Sequence, residues 1–297
     1  MTTMPQAHIR VRVDPTNPGQ FFACCGLLEL ADRLWGGAEG WFADGGGIFC
    51  VSPTDALSPA STTAVSLIDR LRSCRLENTM TLDQLERRSM LSAMGKTKLA
   101  AQDGLEEEKK SLDGLWREAP LVLHEPFHLR LDWFTDERAG GDTFKTWAGQ
   151  QSVIDIARGL KAAVDAAAWN EPHLDWLFAR TSCEGLPFNF DADLGAMGSD
   201  RDVGFSFDPL TSVHVWIRPL VELLAFVGLQ RFRPFKPGKE NRYRFSLWFD
   251  PLVPPLAGAA ACGLLGSPSA RTFEFRFLYR TKYLKSFLPA IPRGDQT

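Results

Sequence analysis

No stretch of about 18 uninterrupted apolar residues occurs in this sequence, so no membrane-spanning helix is expected. The start, Met1 to Gln6, lacks the basic and then apolar regions of a secretory signal, and the expectation is a soluble globular protein of the cytoplasm. The six cysteines, at 24, 25, 50, 74, 183 and 262, include no CxxC pair and no Cys/His cluster of zinc-finger spacing. Reduced, mostly buried thiols are expected instead. Cys24 and Cys25 are neighbours in a predicted helix and would not face each other, so a bridge between them is not expected. Five scattered histidines select no Ser/His/Asp or Cys/His arrangement.

What is present is enough apolar material for a sizeable core, 44% of 297 residues, sufficient for one large domain or two small ones. The formal net charge of -3 hides an asymmetry. Residues 231 to 297 hold twelve Lys/Arg against four acids, a balance of +8, so the remainder carries -11. A basic C-terminal part points to an anionic partner. The expected organisation is an acidic α+β part over 1–210 with a basic part over 211–297 packed against it, or one single domain over 1–297.

Ile9-Arg10-Val11-Arg12-Val13 alternates as a half-buried strand does. Asp14-Pro15-Thr16-Asn17-Pro18-Gly19 reads as a turn without regular structure, and a buried helix follows from Gln20 to the stop at Gly36-Gly37. Gly45 to Cys50 leads into a short strand. Helical spacing marks Ser61 to Leu71, Leu82 to Trp116, Ser152 to Trp169 and Leu220 to Leu229. Strand alternation marks Phe127 to Trp133, Arg242 to Phe249 and Thr272 to Arg280. The fold class these predict is α+β, with mixed or antiparallel sheets flanked by helices. Leu220 to Ala225 resembles Leu27 to Ala31, a faint repeat built from common helix formers.

Three motifs suggest chemistry and fall short of it. His124-Glu125-Pro126-Phe127-His128 matches the HExxH pattern of zinc peptidases, which needs a helix to bring both imidazoles to one metal. A proline stands inside it and alternation follows; in an extended chain residues four apart lie roughly 13 Å from each other. Gly95-Lys96-Thr97 imitates the end of a P-loop, but Met90 stands where its first glycine belongs. Asp191, Asp193, Asp200, Asp202 and Asp208 crowd one loop as calcium ligands do, yet Gly195 and Asp202 break the EF-hand pattern. A solvated or helix-capping acidic loop is the simpler reading.

The strongest signal is Arg231-Phe232-Arg233-Pro234-Phe235-Lys236-Pro237-Gly238-Lys239-Glu240-Asn241-Arg242-Tyr243-Arg244. Cations neutralise phosphates and release counterions, and aromatic faces stack on exposed bases. The expected nucleic-acid contacts are Arg231, Arg233, Lys236, Lys239, Arg242 and Arg244, with Phe235 and Tyr243 as stacking faces and Lys145 nearby. Lys145 belongs to Phe144 to Ser152, a donor-rich stretch before a helix N-terminus, where a phosphate or ordinary capping by Ser152 would each fit. Thr272 to Arg280 places Phe273, Phe275, Phe277 and Tyr279 on one face, read as core, and Arg276 and Arg280 on the other.

Several of these phrases carry a resemblance. Asp14 to Ala31, Leu131-Asp132-Trp133, Lys145 to Gln151, Arg218 to Ala225 and Arg231 to Pro234 resemble proteins encoded with CRISPR type I-U (I-G) systems. The likeness is to their Csb-type and large-subunit-like members and touches the chain from residue 8 to about 245. It implies a non-catalytic subunit of an RNA-guided surveillance (Cascade) complex of antiviral defence. Such a subunit would contact CRISPR guide RNA, target DNA or both, beside other Cascade subunits. It implies no cofactor, metal, catalytic residue, membrane or small-molecule substrate. Two other classes stand beside it: a metal-dependent nuclease or hydrolase using His124 and His128 or the Asp191 to Asp208 loop, and a structural assembly protein without nucleic-acid contact.

Overall fold

The computed structural model describes residues 4–58, 61–95, 99, 102, 104–135, 144–147, 151–167, 174–184, 187–195, 214–238, 241–266, 270–279 and 285–294. The fold is α+β, and its described strand pairs are antiparallel. Among the described residues no helix is long and apolar enough to cross a membrane.

Strand β1 (Ile9–Arg12) alternates buried and exposed residues as its sequence predicts, and leads into helix α1 (Pro18–Trp35). The helix begins inside the stretch expected to be irregular. Asn17 is its N-cap, its side-chain oxygen accepting from Gly19 N at 3.1 Å and Gln20 N at 3.4 Å. Pro18 at the first helical position needs no such partner, because proline has no N–H to satisfy. Gly36, with φ of 75°, ends the helix in the left-handed region. Every residue of α1 from Pro18 to Ala31 is buried, the pattern of a helix enclosed by core on all sides.

Strands β2 (Ala38–Ala43) and β3 (Ile48–Pro53) complete a first sheet in the order β1-β3-β2. Helices α2 (Ala64–Ser73), α3 (Leu82–Ala93) and α4 (Leu105–Glu118) follow, with β4 (Leu76–Asn78) between the first two. Across Leu82 to Trp116, which the sequence reads as helical, the described residues form α3 and α4. They pack on each other around a small separate core of Met80, Leu91, Leu99, Leu112 and Ala119. Strands β5 (Leu121–Leu123) and β6 (Leu129–Leu131) join β4 in a second sheet.

Helix α5 (Val153–Ala166) is capped by the Ser152 side chain, as expected. Strands β7 (Thr181–Glu184) and β8 (His214–Ile217) form a two-stranded sheet, and α6 (Pro219–Gly228) is buried along its whole length. Strand β9 (Arg242–Leu247), helix α7 (Pro254–Ala261) and strands β10 (Arg271–Tyr279), β11 (Lys285–Phe287) and β12 (Ile291–Pro292) close the chain. The long strand β10 pairs with β9 on one edge and with β11 and β12 on the other.

The two faintly similar helices meet. A Cβ built on Gly26 would lie 2.0 Å from Leu224 O, and one on Gly228 would lie 2.1 Å from Phe22 O. Helices α1 and α6 therefore cross backbone against backbone. The sheets wrap this pair: Phe21 stacks on Phe245 of β9 (4.2 Å) and Phe42 of β2 (5.8 Å), and Phe22 meets Phe275 and Phe287. One apolar core joins residues from Ile9 to Ala290, on both sides of position 210.

Candidate nucleic-acid interface

Strands β9 and β10 present two chemically opposite faces. Tyr243, Phe245, Phe273, Phe275 and Phe277 point into the core, while Arg242, Arg244, Glu274 and Arg276 occupy the alternate positions. Register sets Arg244 opposite Glu274 and Arg242 opposite Arg276. Glu274, only 4% exposed, is enclosed by guanidiniums: Arg244 Nε lies 3.0 Å and Arg293 Nη2 3.1 Å from Oε2, and Arg242 Nη1 3.6 Å from Oε1. Arg293 arrives from beyond β12, held by its own N–H donating to Thr272 O at 2.8 Å. With exposed Arg276 beside them, four guanidiniums face one carboxylate, so these five side chains carry a formal surplus of three positive charges.

Two apolar side chains stand on the same face. Phe235, 48% exposed, extends β9 outward through paired backbone hydrogen bonds with Arg244, both 2.8 Å. Ile291, 62% exposed, sits opposite Glu274 on the other edge. Burial would raise the Glu274 carboxyl, but the hydrogen bond from Arg244 and the charges of Arg293, Arg244 and Arg242 hold it below its ordinary value.

The residues expected from sequence divide. Arg242, Arg244 and Phe235 lie on this face together. Lys145 is brought to the far end of the same sheet, since Lys285 N donates to Thr146 O at 3.0 Å. The Lys236 ammonium lies 5.6 Å from the Tyr243 ring centroid. Tyr243 corrects the expectation of a stacking face: at 1% exposed, its ring packs against Phe144, Phe275 and Phe277, out of reach of a base. Arg231, itself exposed, is engaged by another part of the chain. It spans 202 positions to clamp buried Glu29 of α1, with Nε 2.6 Å from Oε2 and Nη2 3.3 Å from Oε1. Arg233 is half-buried behind it, its carbonyl accepting from Cys262 Sγ at 2.9 Å. Lys239 and Arg280 lie outside the described residues. Sequence reasoning left Arg276 and Arg293 out of the site. The alternation of β10 already placed the first opposite the phenylalanines, whereas nothing near Arg293 marked its position.

Glu29 is desolvated as Glu274 is, and hydrogen bonds from Arg231 and Arg33 likewise hold it below its ordinary range. Both carboxyls therefore titrate below the 4.5 of an unperturbed glutamate. Their contribution to stability is present in full above that value and is lost as the pH falls through their folded values. Acidification below about pH 4.5 is expected to lower the urea midpoint, and the double variant E29Q/E274Q to flatten that acid limb. An unchanged limb in the variant would remove both pairs from the account.

The alternatives from sequence also find their places. Asp191 is fully buried, bound by Asn17 Nδ2 at 2.8 Å and Arg218 Nη1 at 3.2 Å, and Arg218 also reaches Asp193 at 2.9 Å. Burial pushes the Asp191 carboxyl up despite Arg218. These two acids are engaged by an arginine; Asp200, Asp202 and Asp208 lie outside the described residues, as do Lys96 and Thr97. His124 and His128 are not on an extended chain. His128 N and Phe127 N both donate to His124 O, at 3.1 and 2.9 Å, closing a tight turn that sets both histidines on one cavity. Among the described residues no group of three His, Cys, Asp or Glu side chains gathers as a metal site would require.

Comparison with protein-family models, with curated proteins and with solved structures finds no match.

Proposed function

We propose that this chain is a non-catalytic subunit of a CRISPR type I-U (I-G) surveillance complex in antiviral defence. In this reading the outer face of its C-terminal sheet lies along the backbone of guide RNA or target DNA. The observation that supports it is the convergence of Arg242, Arg244 and Arg293 on one buried carboxylate, with Arg276 beside them. Each guanidinium has five N–H donors in a fixed fork. Glu274 orients Arg244 and Arg293, and their remaining donors, with exposed Arg276 beside them, supply hydrogen bonds and charge for phosphates. Setting Arg242 directly opposite Arg276 destabilises the ladder through like-charge repulsion, a cost that an anionic partner offsets. Phe235 and Ile291 add apolar contact for sugars or bases. A face built of charge and shape grips any sequence, which suits a complex whose guide does the reading.

A subunit also meets protein neighbours. Residues 251–270 contain no charged side chain, and α7 with the turn after it exposes Leu256, Leu264 and Leu265. An apolar surface of this kind fits contact with other Cascade subunits.

Coexpression with its genomic neighbours tests the reading. The chain is expected to copurify with them and with RNA that survives nuclease treatment and carries CRISPR repeat sequence. An assembly that holds together with no nucleic acid would favour the purely structural role instead.

A further inference from the structure

The HExxH-like turn lines a cavity of about 630 Å³ with residues that converge from separate elements. Arg70 and Ser73 come from the last turn of α2, Arg75 from the residue just before β4, and His124 and His128 from the turn between β5 and β6. Glu125 is the one carboxylate in the lining. Glu77 stands behind it, 3.2 Å from His124 Nε2 and 3.4 Å from Arg75 Nη1, and orients both. Among the described residues the Arg70 guanidinium and the His128 ring take no ion pair or hydrogen bond, so both are available to a ligand. His128 is exposed yet holds φ of 46°, a conformation that glycine adopts at lower cost. Arg33 Nη1 steadies it, donating to His128 O at 3.2 Å. An exposed side chain kept in a strained position points to use of the imidazole itself.

We infer that this cavity binds a phosphate group, carried either by a free nucleotide or by the end of a nucleic-acid strand. The Arg70 and Arg75 guanidiniums and the His128 imidazole are phosphate donors, and the volume accommodates a nucleotide. The inference is independent of the sheet face, which uses none of these residues.

The test follows the imidazole C–H resonances of the full chain during titration with inorganic phosphate. Uridine 5′-monophosphate and a short oligonucleotide with 5′-phosphate or 5′-hydroxyl follow as probes. Signals of His124 and His128 are expected to move, while His8, which pairs with Thr62 elsewhere in the fold, stays fixed. The exposed double variant R70A/R75A is expected to bind inorganic phosphate and uridine 5′-monophosphate about tenfold more weakly or worse. A larger response of His124 and His128 to the 5′-phosphorylated strand than to the 5′-hydroxyl strand assigns the site to strand ends; equal responses to the two strands, with the mononucleotide bound, assign it to free nucleotides. The inference is overturned if none of the probes moves His124 and His128, or if R70A/R75A responds as the parent does.

Discussion

Gly26→Val is expected to leave the chain unable to fold. The new Cβ would stand 2.0 Å from Leu224 O and 2.8 Å from Leu224 C, contacts with backbone that no rotamer change relieves. Both partners are wholly buried helices, so separating them opens the centre of the core. Overpacking ordinarily costs about 1–3 kcal/mol; a clash between two main chains belongs at or beyond the top of that range. Against a typical total stability of about 5–15 kcal/mol, this is enough to unfold a marginal domain. Gly228→Val meets Phe22 O in the same way and is expected to match it. Gly114, inside α4 with nothing within 4 Å of its virtual Cβ, supplies the contrast. There Gly114→Ala is expected to stabilise by about 0.5–1 kcal/mol, because alanine loses less freedom in a helix. Soluble yield and urea midpoints of the three variants read the result; a well-folded Gly26→Val protein would mean that α1 and α6 do not cross where described.

The second large effect is on affinity. R276A/R293A removes two of the outer guanidiniums while Arg242 and Arg244 still hold Glu274. Each charge-assisted hydrogen bond contributes about 1.5–3 kcal/mol, so loss of two phosphate contacts is expected to weaken nucleic-acid binding roughly a hundredfold. Its stability should change little, since Glu274 keeps two of its arginine partners. Arg231→Ala is expected to do the opposite. It strips a partner from Glu29, 2% exposed and left with Arg33 alone, at a cost of about 1–3 kcal/mol of stability, with affinity nearly unchanged. Binding by fluorescence anisotropy, set beside urea melts of the same two proteins, separates the roles. Equal affinity in R276A/R293A and parent would take the sheet face out of the function.

That contrast shows where the sequence was legible. Strict alternation revealed β1, β9 and β10, because one face of each is core and the other carries charge. Strand β2 went unseen. Its pattern, Ala38-Glu39-Gly40-Trp41-Phe42-Ala43, packs on both sides and shows no period of two. The start of α1 was misplaced because Pro18 and Gly19 read as turn residues, whereas Asn17 caps a helix that admits proline at its first position. Among the cations, counting charge found the correct segment but could not separate Arg231, whose carboxylate partner lies two hundred positions earlier, from Arg244. The alternation of Tyr243 with Phe245 assigns its ring to the core even without the structure. Arg293 and the shared cavity of His124 and His128 depend on tertiary contacts, which no local pattern records.

The salt dependence of binding addresses the proposed role most directly. For the assembled complex, the logarithm of the association constant is to be measured against the logarithm of salt concentration, with parent and R276A/R293A chains. Each phosphate contact contributes about 0.7 to 0.9 to that slope, so the variant is expected to be shallower by about 1.5. Coincident slopes, with affinity unchanged across the series, would show that phosphates never meet this face.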